Sequence, residues 1–448
     1  MQILPSGGYP AGGITLAPFR GLRYAEDRVS GLAEVTSPPY DVIAHDTADH
    51  LLAADPHNVV RLILPRHDAG NPGGAYSAAA RLLSEWQDTG ILVPDPQPAL
   101  YVYEQSLPDG PALQRGLIGA LGLVPLGAGP VLPHEDVMPG PVAGRRQLME
   151  STGANLEPIF LLYQGGGGGH GGGGGTGSAA TALAGRVAAK RPPLLTVGTD
   201  DGIRHRLWAM TDPAEHAVVA ADLATHQALI ADGHHRYAAY LQLQARKQAA
   251  GAGPGAWDAG LALLVDSSAF PPRIGAIHRV ITGLNAPDAV RLAKSAFTVR
   301  ALPGLDAGSP SAALAALREA GREGVAFLVA GSGEFHLLTD PDPIAVAAAM
   351  PGRSPRWRWL SAAIMQELLL ARLWGVPDSE DRVQVHHDAG EALCAADSPP
   401  GGTAVICPPL SAADVSEVAA QGERVPRKST SFAPKPRTGL VLRTFALG

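Results

Sequence analysis

Short apolar runs alternate along the chain with segments in which apolar residues recur at helical spacing. The helical periodicity predicts helices over residues 75–90, 179–190, 214–221, 288–297, 311–323 and 360–373. Apolar runs of strand length predict strands over residues 59–64, 99–105, 114–123, 156–163, 194–197, 203–210, 261–266, 274–281, 324–330 and 334–339. This mixture predicts an α+β (mixed α/β) protein.

Residues 228–240 are the most distinctive stretch of the chain. An apolar run breaks at Asp232-Gly233 and resumes with aromatic and alanine residues, which predicts a strand, a tight turn and a helix. Tyr237 and the residues four and eight positions after it share one helical face, so that face can pack while the first turn stays open.

The predicted first turn of this helix suits an anion. A helix N-terminus offers unpaired N–H groups and a positive dipole end, and His234, His235 and Arg236 lie in the same turn. The dipole disfavours an imidazolium, so a histidine here stays neutral near pH 7 and can accept a proton. The alternative is structural: Asp232 caps the helix and the histidines make ordinary hydrogen bonds.

Other segments also carry polar residues in settings that suit a ligand. Pro38-Pro39 forces an extended segment before Tyr40 and Asp41. A loop bracketed by prolines, residues 425–436, can clamp phosphate oxygens through point charges and short donors. Its candidate phosphate contacts are Lys428, Ser429, Thr430 and Lys435. The remaining candidates are Arg61, His134, Glu135, Asn155, His278 and Arg279.

Glu135 is the candidate general base toward an alcohol. A salt bridge from Glu135 to Arg145 or Arg146 is the structural alternative. The preceding His134 invites comparison with H-E-x-x-H metalloproteases, but position 138 is Met, and we assign no metal ligand.

Composition narrows the function classes. With 448 residues, 46% hydrophobic and 17% charged, the chain is globular and long enough for two or three domains. A net charge of −7 without a dense Lys/Arg run argues against a DNA-binding protein. Two cysteines without C-x-x-C argue against a disulfide framework or structural zinc. No apolar run approaches membrane-spanning length and no signal peptide is evident, which predicts a cytoplasmic protein without a membrane partner.

Three segments make up the predicted domain organisation. Residues 1–17 are a flexible N-terminus, residues 18–283 a first domain, and residues 284–448 a C-terminal α+β domain. Residues 165–178 are predicted as a Gly-rich insertion. Although a literal G-x-G-x-x-G occurs in it, no capped helix and acidic residue follow at dinucleotide-binding distance. We therefore expect a flexible insertion whose deletion costs little.

Residues 231–237 resemble the signature of DUF1015, a family of unknown function. Further matching pieces are residues 17–24, 35–43, 58–65, 131–136, 144–155, 278–279 and 425–436, although Arg427 stands where proline is common and Ala433 where an aromatic residue is usual. That family is distantly similar to ParB and sulfiredoxin domains and to free-serine kinases on the same fold. In that superfamily a Gly-x-x-Arg-x-x-Ala turn holds nucleotide phosphates, and residues 233–239 match it.

The resemblance implies a ParB/sulfiredoxin-like first domain that binds a nucleotide. It also implies a small-molecule phosphotransferase that uses ATP or ADP with Mg²⁺ and accepts free serine as substrate. The predicted catalytic residues are Glu135, Asp232 and His234. The predicted phosphate contacts are Gly233, His234, His235, Arg236, His278, Arg279, Lys428, Ser429, Thr430 and Lys435. The predicted substrate contacts are Tyr40, Asp41, Arg61, His134 and Asn155. The alternatives are a non-catalytic nucleotide-binding module like ParB and a phosphoserine phosphatase-type phosphoesterase.

Overall fold

The computed structural model describes residues 12–66, 74–127, 129–166, 177–303, 310–379, 381–398 and 401–448. The chain forms two compact units. Within the described residues, the first unit comprises residues up to 133, 137–272 and 434–448, and the second comprises residues 134–136 and 273–433. The C-terminal segment 434–448, predicted from the sequence to lie in the second domain, belongs to the first unit. Most of the predicted flexible N-terminus lies outside the described residues.

The first unit combines helices with one large mixed sheet. Its helices are α1 (Leu32–Val35), α2 (His45–Ala54), α3 (Val60–Ile63), α4 (Gly74–Asp88), α5 (Pro139–Thr152), α6 (Ala179–Lys190), α7 (Pro213–Leu223) and α8 (His234–Ala249), with 3₁₀ turns at Glu26–Arg28, Tyr40–Val42 and Ala256–Asp258. Its strands are β1 (Leu16–Ala17), β2 (Leu22–Tyr24), β3 (Leu92–Pro94), β4 (Leu100–Ser106), β5 (Ala112–Gly122), β6 (Val131–Leu132), β7 (Ala154–Asn155), β8 (Ile159–Tyr163), β9 (Leu195–Gly198), β10 (Arg204–Met210), β11 (Ala228–Asp232), β12 (Ala259–Asp266) and a final short strand, Arg443–Thr444.

The sheet order is β6-β11-β8-β12-β5-β4-β10-β9, with β1 paired to β5. Every residue of β8, β11 and β12 is buried, as their continuous apolar runs require. β11 pairs with β8 in antiparallel register, and the register shifts between Ile230 and Asp232. A bulge of this kind re-aims the side chains at the end of a strand, and Asp232 is the last residue of β11.

The predicted strand over residues 59–64 is wrong, because residues 60–63 form the helical turn α3. The amide of Asn58 sets this turn: its Oδ1 accepts a hydrogen bond from the backbone N–H of Val60 (2.9 Å), and its Nδ2 donates to the carbonyl of Glu34 (2.6 Å). An apolar run this short does not distinguish a buried strand from a buried helical turn. The side chain of Asn58, which precedes the apolar run, accounts for the helical turn.

The second unit is built on a six-stranded antiparallel sheet. Its strands are β13 (Arg273–Gly275), β14 (His278–Thr282), β15 (Thr298–Ala301), β16 (Ala326–Gly331), β17 (Glu334–Thr339), β18 (Val383–His386), β19 (Gly402–Ile406) and β20 (Ser431–Ala433). The sheet order is β15-β17-β16-β19-β14-β18. Its helices are α9 (Ala286–Ala293), α10 (Pro310–Glu323), α11 (Pro343–Ala349), α12 (Pro355–Arg358), α13 (Ser361–Ala363), α14 (Ala389–Asp397) and α15 (Ala412–Ala420), with a π-helix at Ile364–Leu373.

The α+β class is therefore confirmed. Two of the elements predicted in the second unit differ from those observed. The predicted strand over residues 274–281 is two strands, β13 and β14, which belong to different sheets, because β13 pairs with β20. The predicted helix over residues 360–373 is mostly a π-helix. No helix in the described part of the chain combines the length and apolarity needed to cross a bilayer.

Asp266, the last residue of β12, ties together the two ends of the Gly-rich insertion. Its Oδ1 accepts a hydrogen bond from the N–H of Gly165 (3.0 Å), and its Oδ2 accepts from the N–H of Ser178 (2.9 Å) and the hydroxyl of Thr181 (2.9 Å). Burial acts to raise the pKa of Asp266, but the hydrogen bonds have the larger opposite effect. The pKa of Asp266 is therefore lowered from its ordinary value. Residues 167–176 lie outside the described residues, so the flexibility of the insertion stays a prediction.

We expect Asp266→Asn to lower the free energy of unfolding by about 1–3 kcal/mol at pH 7, because the variant loses charge-assisted hydrogen bonds. A lowered folded-state pKa stabilises the protein above the unfolded-state value, and this contribution disappears as the pH falls below about 4. Denaturant unfolding at neutral and acidic pH measures the difference. Asp109→Asn, an exposed position with no hydrogen bond or ion pair to the described residues, is the control. A deficit that is equal at both pH values would contradict this role.

Candidate functional site

The predicted strand, turn and helix are present in the first unit, where β11 lies next to the edge strand β6. β11 ends at Asp232, Gly233 adopts a left-handed conformation (φ +96°), and α8 begins at His234. A Cβ at Gly233 would lie 2.9 Å from Cγ2 of Ile159 and 3.1 Å from Nε of Arg236. Both the positive φ and the close approach therefore require glycine here. The turn places the N-terminus of a sixteen-residue helix at the end of a buried strand.

Asp232 does not cap α8, because no side chain makes the cap hydrogen bond. Its carboxylate lies between two cations instead. Oδ1 accepts a hydrogen bond from Nζ of Lys435 (2.5 Å), and Oδ2 pairs with Arg236. Nζ of Lys435 also donates to Oδ2 of Asp41 (3.2 Å). Residues 41, 232 and 435, which lie far apart in the sequence, therefore meet beside the first turn of α8.

A second carboxylate, Glu157, extends this group. Its Oε1 accepts a hydrogen bond from the backbone N–H of Tyr40 (2.9 Å), and its Oε2 lies 3.8 Å from Nη1 of Arg145. The ring of Tyr40 lies under the guanidinium of Arg145 (4.3 Å to the ring centroid), with that of Arg236 5.7 Å away. We call these residues the charged cluster; its members are Tyr40, Asp41, Arg145, Glu157, Asp232, Arg236 and Lys435.

The charged cluster separates the acidities of its carboxylates. Burial acts to raise the pKa of Asp41, but Lys435 and Arg236 lower it to about 2. Burial raises the pKa of Asp232, and the neighbouring charge of Asp41 raises it further. Burial also raises the pKa of Glu157. Near pH 7 Asp41 is therefore ionised, and Asp232 is the neighbouring carboxylate that gains a proton more readily.

Sequence reasoning missed Glu157, although a signal was present. Glu157 lies within the apolar run predicted as a strand over residues 156–163, and its side chain is only 4% exposed. A charged group in a buried run needs a partner of opposite charge. Asp41, Asp232, Arg236 and Lys435 were named from the sequence, but nothing in the sequence showed that they contact one another.

Other predicted residues of the first unit have structural contacts. Nε2 of His235 accepts a hydrogen bond from the backbone N–H of Met138 (3.1 Å). His234 is buried. Arg61, in α3, donates to the carbonyl of Leu52 (2.7 Å). Oδ1 of Asn155 accepts hydrogen bonds from the backbone N–H of Leu261 (3.2 Å) and from the guanidinium of Arg443 (2.9 Å). The ligand-binding roles assigned to these residues stay predictions.

The second unit brings His134 and the loop 425–430 together. Nε2 of His134 lies 2.8 Å from the hydroxyl of Thr430, and the carbonyl of His134 accepts a hydrogen bond from the N–H of Val425 (2.7 Å). The hydroxyl of Ser429 donates to the carbonyl of Pro426 (2.5 Å). Glu135 is partly buried in the same unit. In the first unit, Arg145 pairs with Glu157 and Arg146 with Glu150, and the catalytic role of Glu135 stays a prediction.

His278 and Arg279 also belong to this unit. The guanidinium of Arg279 donates to the carbonyls of Lys428 (2.7 Å) and Arg427 (3.2 Å), and Lys428 adopts a positive φ of 55°. The side chain of Lys428 is exposed. Burial lowers the pKa of His278 to about 4, so its imidazole is neutral at pH 7. The phosphate contacts predicted in this unit remain predictions.

A cavity of about 260 Å³ in the second unit lies between the β16–β17 turn and the end of α14, and no residue predicted from the sequence lines it. Across the described ranges, no group of three or more His, Cys, Asp or Glu residues is arranged to hold a metal ion.

We expect Lys435→Met to raise the pKa values of Asp41 and Asp232, because the ammonium that separates two neighbouring carboxylates is lost. Carboxyl ¹³C NMR titrations of the wild type and the variant measure the change. Lys190→Met, an exposed position at the end of α6, is the control and leaves both titrations unchanged. An unaltered titration of Asp41 in Lys435→Met would contradict the shared contact.

Three solved structures are distantly similar to this chain. A free serine kinase in complex with AMP is 14% identical, with a TM-score of 0.33 over 68% of this chain and 83% of that chain. SbnI from Staphylococcus aureus with a C-terminal truncation is 12% identical, with a TM-score of 0.31 over 68% and 81%. A conserved hypothetical protein from Pyrococcus furiosus is 12% identical, with a TM-score of 0.34 over 71% and 94%. Likeness at this level carries no argument about function.

Sequence comparison gives a firmer result. The chain has no match among curated proteins. The family described as "Protein of unknown function (DUF1015)" matches residues 16–363, which is most of the chain. The resemblance seen in the signature over residues 231–237 is therefore confirmed, and the chain belongs to the DUF1015 family.

Proposed function

We propose that this protein is a phosphotransferase that moves the terminal phosphoryl group of ATP or ADP to the hydroxyl group of a small alcohol. Free serine is the first acceptor to test, because it is the acceptor implied by the family resemblance of residues 231–237. The proposal rests on one observation above all: Lys435 meets Asp41 and Asp232 at the strand end that leads into the first turn of α8.

Charge and geometry support a phosphate at this turn. The first N–H groups of an α-helix lack intrahelical acceptors and lie at the positive end of the helix dipole. The left-handed Gly233 brings the backbone into that position without a side chain. Lys435 is a compact cation on a flexible stem, so its ammonium can leave the carboxylates and contact phosphate oxygens. Phosphoryl transfer depends mainly on such positioning and charge neutralisation.

The acidities of Asp41 and Asp232 support different roles. Asp232 has a raised pKa, and a general base works best when its pKa lies close to the working pH. We assign Asp232 the proton of the acceptor hydroxyl. The hydroxyl oxygen then attacks the terminal phosphorus, the bond from phosphorus to the bridging oxygen breaks, and the shortened nucleotide leaves with that oxygen. Asp232 takes precedence over Glu135 because Asp232 contacts Lys435 directly and ends the strand before the turn.

Asp41 fits a magnesium ligand. Its pKa of about 2 keeps the carboxylate charged at physiological pH, and its side chain is partly exposed. Mg²⁺ is commonly held by one or two protein carboxylates together with substrate phosphates, so a cluster of three or more protein ligands is not required. When bound, the ion would neutralise phosphate charge. Arg236 is 2% exposed and pairs with Asp232, and we assign it the positioning of that carboxylate.

We expect the purified protein to form phosphoserine from serine, Mg²⁺ and ATP or ADP, detected by ³¹P NMR. Lys435→Met and Asp232→Asn reduce kcat/KM by about 10²–10⁴, because each removes a charge or proton acceptor used in the transition state. Lys190→Met, an exposed position in the same unit, leaves kcat/KM unchanged.

Two further measurements separate the alternatives. Nucleotide binding by calorimetry without any phosphoserine would support a non-catalytic binding module. Release of phosphate from phosphoserine without nucleotide would support a phosphoesterase. The absence of both nucleotide binding and turnover with ATP and ADP would overturn the proposed function.

A further inference from the structure

The segment that carries Lys435 is fixed on one side by two buried glutamines that the proposed reaction does not use. Nε2 of Gln105 donates to the carbonyl of Lys435 (3.1 Å), and Nε2 of Gln114 donates to the carbonyl of Pro434 (3.0 Å). The glutamine residues are 2% and 4% exposed and also bond to each other. Proline on both sides of Lys435 restricts its backbone further.

Arg437 fixes the segment on the other side. Its Nε donates to the hydroxyl of Thr36 (2.6 Å), and its Nη2 donates to the carbonyls of Ala33 (2.9 Å) and Thr36 (3.0 Å). Its backbone N–H donates to the hydroxyl of Tyr103 (3.1 Å). All these acceptors are neutral, and burial lowers the pKa of Arg437. The charges of Asp201, Asp200 and Glu34 oppose this shift, but none of these carboxylates forms an ion pair with Arg437 in the described residues, so no direct carboxylate contact offsets the desolvation of the guanidinium.

The same junction holds the segment that carries Asp41. Ser37 and Thr438 exchange two backbone hydrogen bonds, of 3.1 Å and 2.8 Å. Arg437 and Thr438 are thereby bound to residues 36–37, and the rigid Pro38-Pro39 link leads from there to Tyr40 and Asp41. The junction lies two residues after Lys435 and four residues before Asp41.

We propose that Arg437 is a positioning residue that fixes the C-terminal segment on residues 33–37 and so holds Lys435 between Asp41 and Asp232. Its importance for phosphoryl transfer rests on the proposed function. The placement of Lys435 itself does not, because it is a property of the protein without any ligand.

Arg443 provides a matched control in the same C-terminal segment. Its side chain is 1% exposed and donates to Oδ1 of Asn155 (2.9 Å) and to the carbonyls of Ala256 (2.9 Å) and Ala259 (3.1 Å). Like Arg437, it is an arginine with neutral acceptors only. Unlike Arg437, it lies eight residues from Lys435, and its hydrogen bonds go to residues 155, 256 and 259 instead of residues 33–36.

Amine acylation with acetic anhydride, followed by mass spectrometry, measures the exposure of each lysine. We expect Arg437→Met to speed acylation of Lys435 by about tenfold, because the segment opens locally. Asp232 and Asp41 raise the pKa of Lys435 against the effect of burial, so the pH profile of its acylation moves to lower pH when these contacts weaken. Arg437→Lys restores part of the protection. Arg443→Met leaves Lys435 protected, and Lys190 reacts equally in all variants.

Equal acylation of Lys435 in the wild type and Arg437→Met, or an equal increase in both methionine variants, would overturn the inference. If Arg437→Met does not fold, Gln105→Leu tests the same restraint from the sheet side, where it removes the donor to the carbonyl of Lys435. The assay uses no nucleotide. A wild type without phosphotransferase activity would therefore end the proposed function while the acylation rates still decide the role of Arg437.

Discussion

The contact of one ammonium group with two carboxylates is the constraint on which the candidate site depends. Asp232 is 7% exposed, and Asp41 lies beside it. Asp232 ends a buried strand, and a second carboxylate beside it repels its charge, so ionising both groups is costly. The ammonium of Lys435 offsets this repulsion. Lys435 belongs to the C-terminal segment 434–448, which follows the second unit in the sequence but is part of the first unit. The course of the chain and the charge of the site are thus linked.

Balance of charge extends through the charged cluster. Arg145, Arg236 and Lys435 face Asp41, Asp232 and Glu157, and the ring of Tyr40 lies against the two guanidinium groups. Such a balanced arrangement tolerates burial, yet it holds one carboxylate with a lowered pKa beside one with a raised pKa. Pairs of titratable groups whose environments shift their pKa values in opposite directions are typical of sites where the two groups take different acid and base roles.

The fold was largely predictable where the sequence pattern was long and local. The helices α4 and α6 and the buried strand β12 follow directly from periodicity and apolar runs. Prediction failed for residues 59–64, where the amide of Asn58 turns a short apolar run into helix. It also failed at the division of residues 274–281 into β13 and β14, because the strands that pair with each are distant in sequence.

The sequence by itself determined the turn at Asp232-Gly233 and the helix that follows. Both depend on local chemistry: an apolar run, a glycine that accepts a positive φ, and helical spacing of the residues after it. Only the tertiary structure decided that Lys435 meets Asp41 and Asp232, that Glu157 joins them, and that Arg437 holds the segment in place. These contacts join residues more than a hundred positions apart, and no local pattern in a sequence encodes the pairing of distant charges.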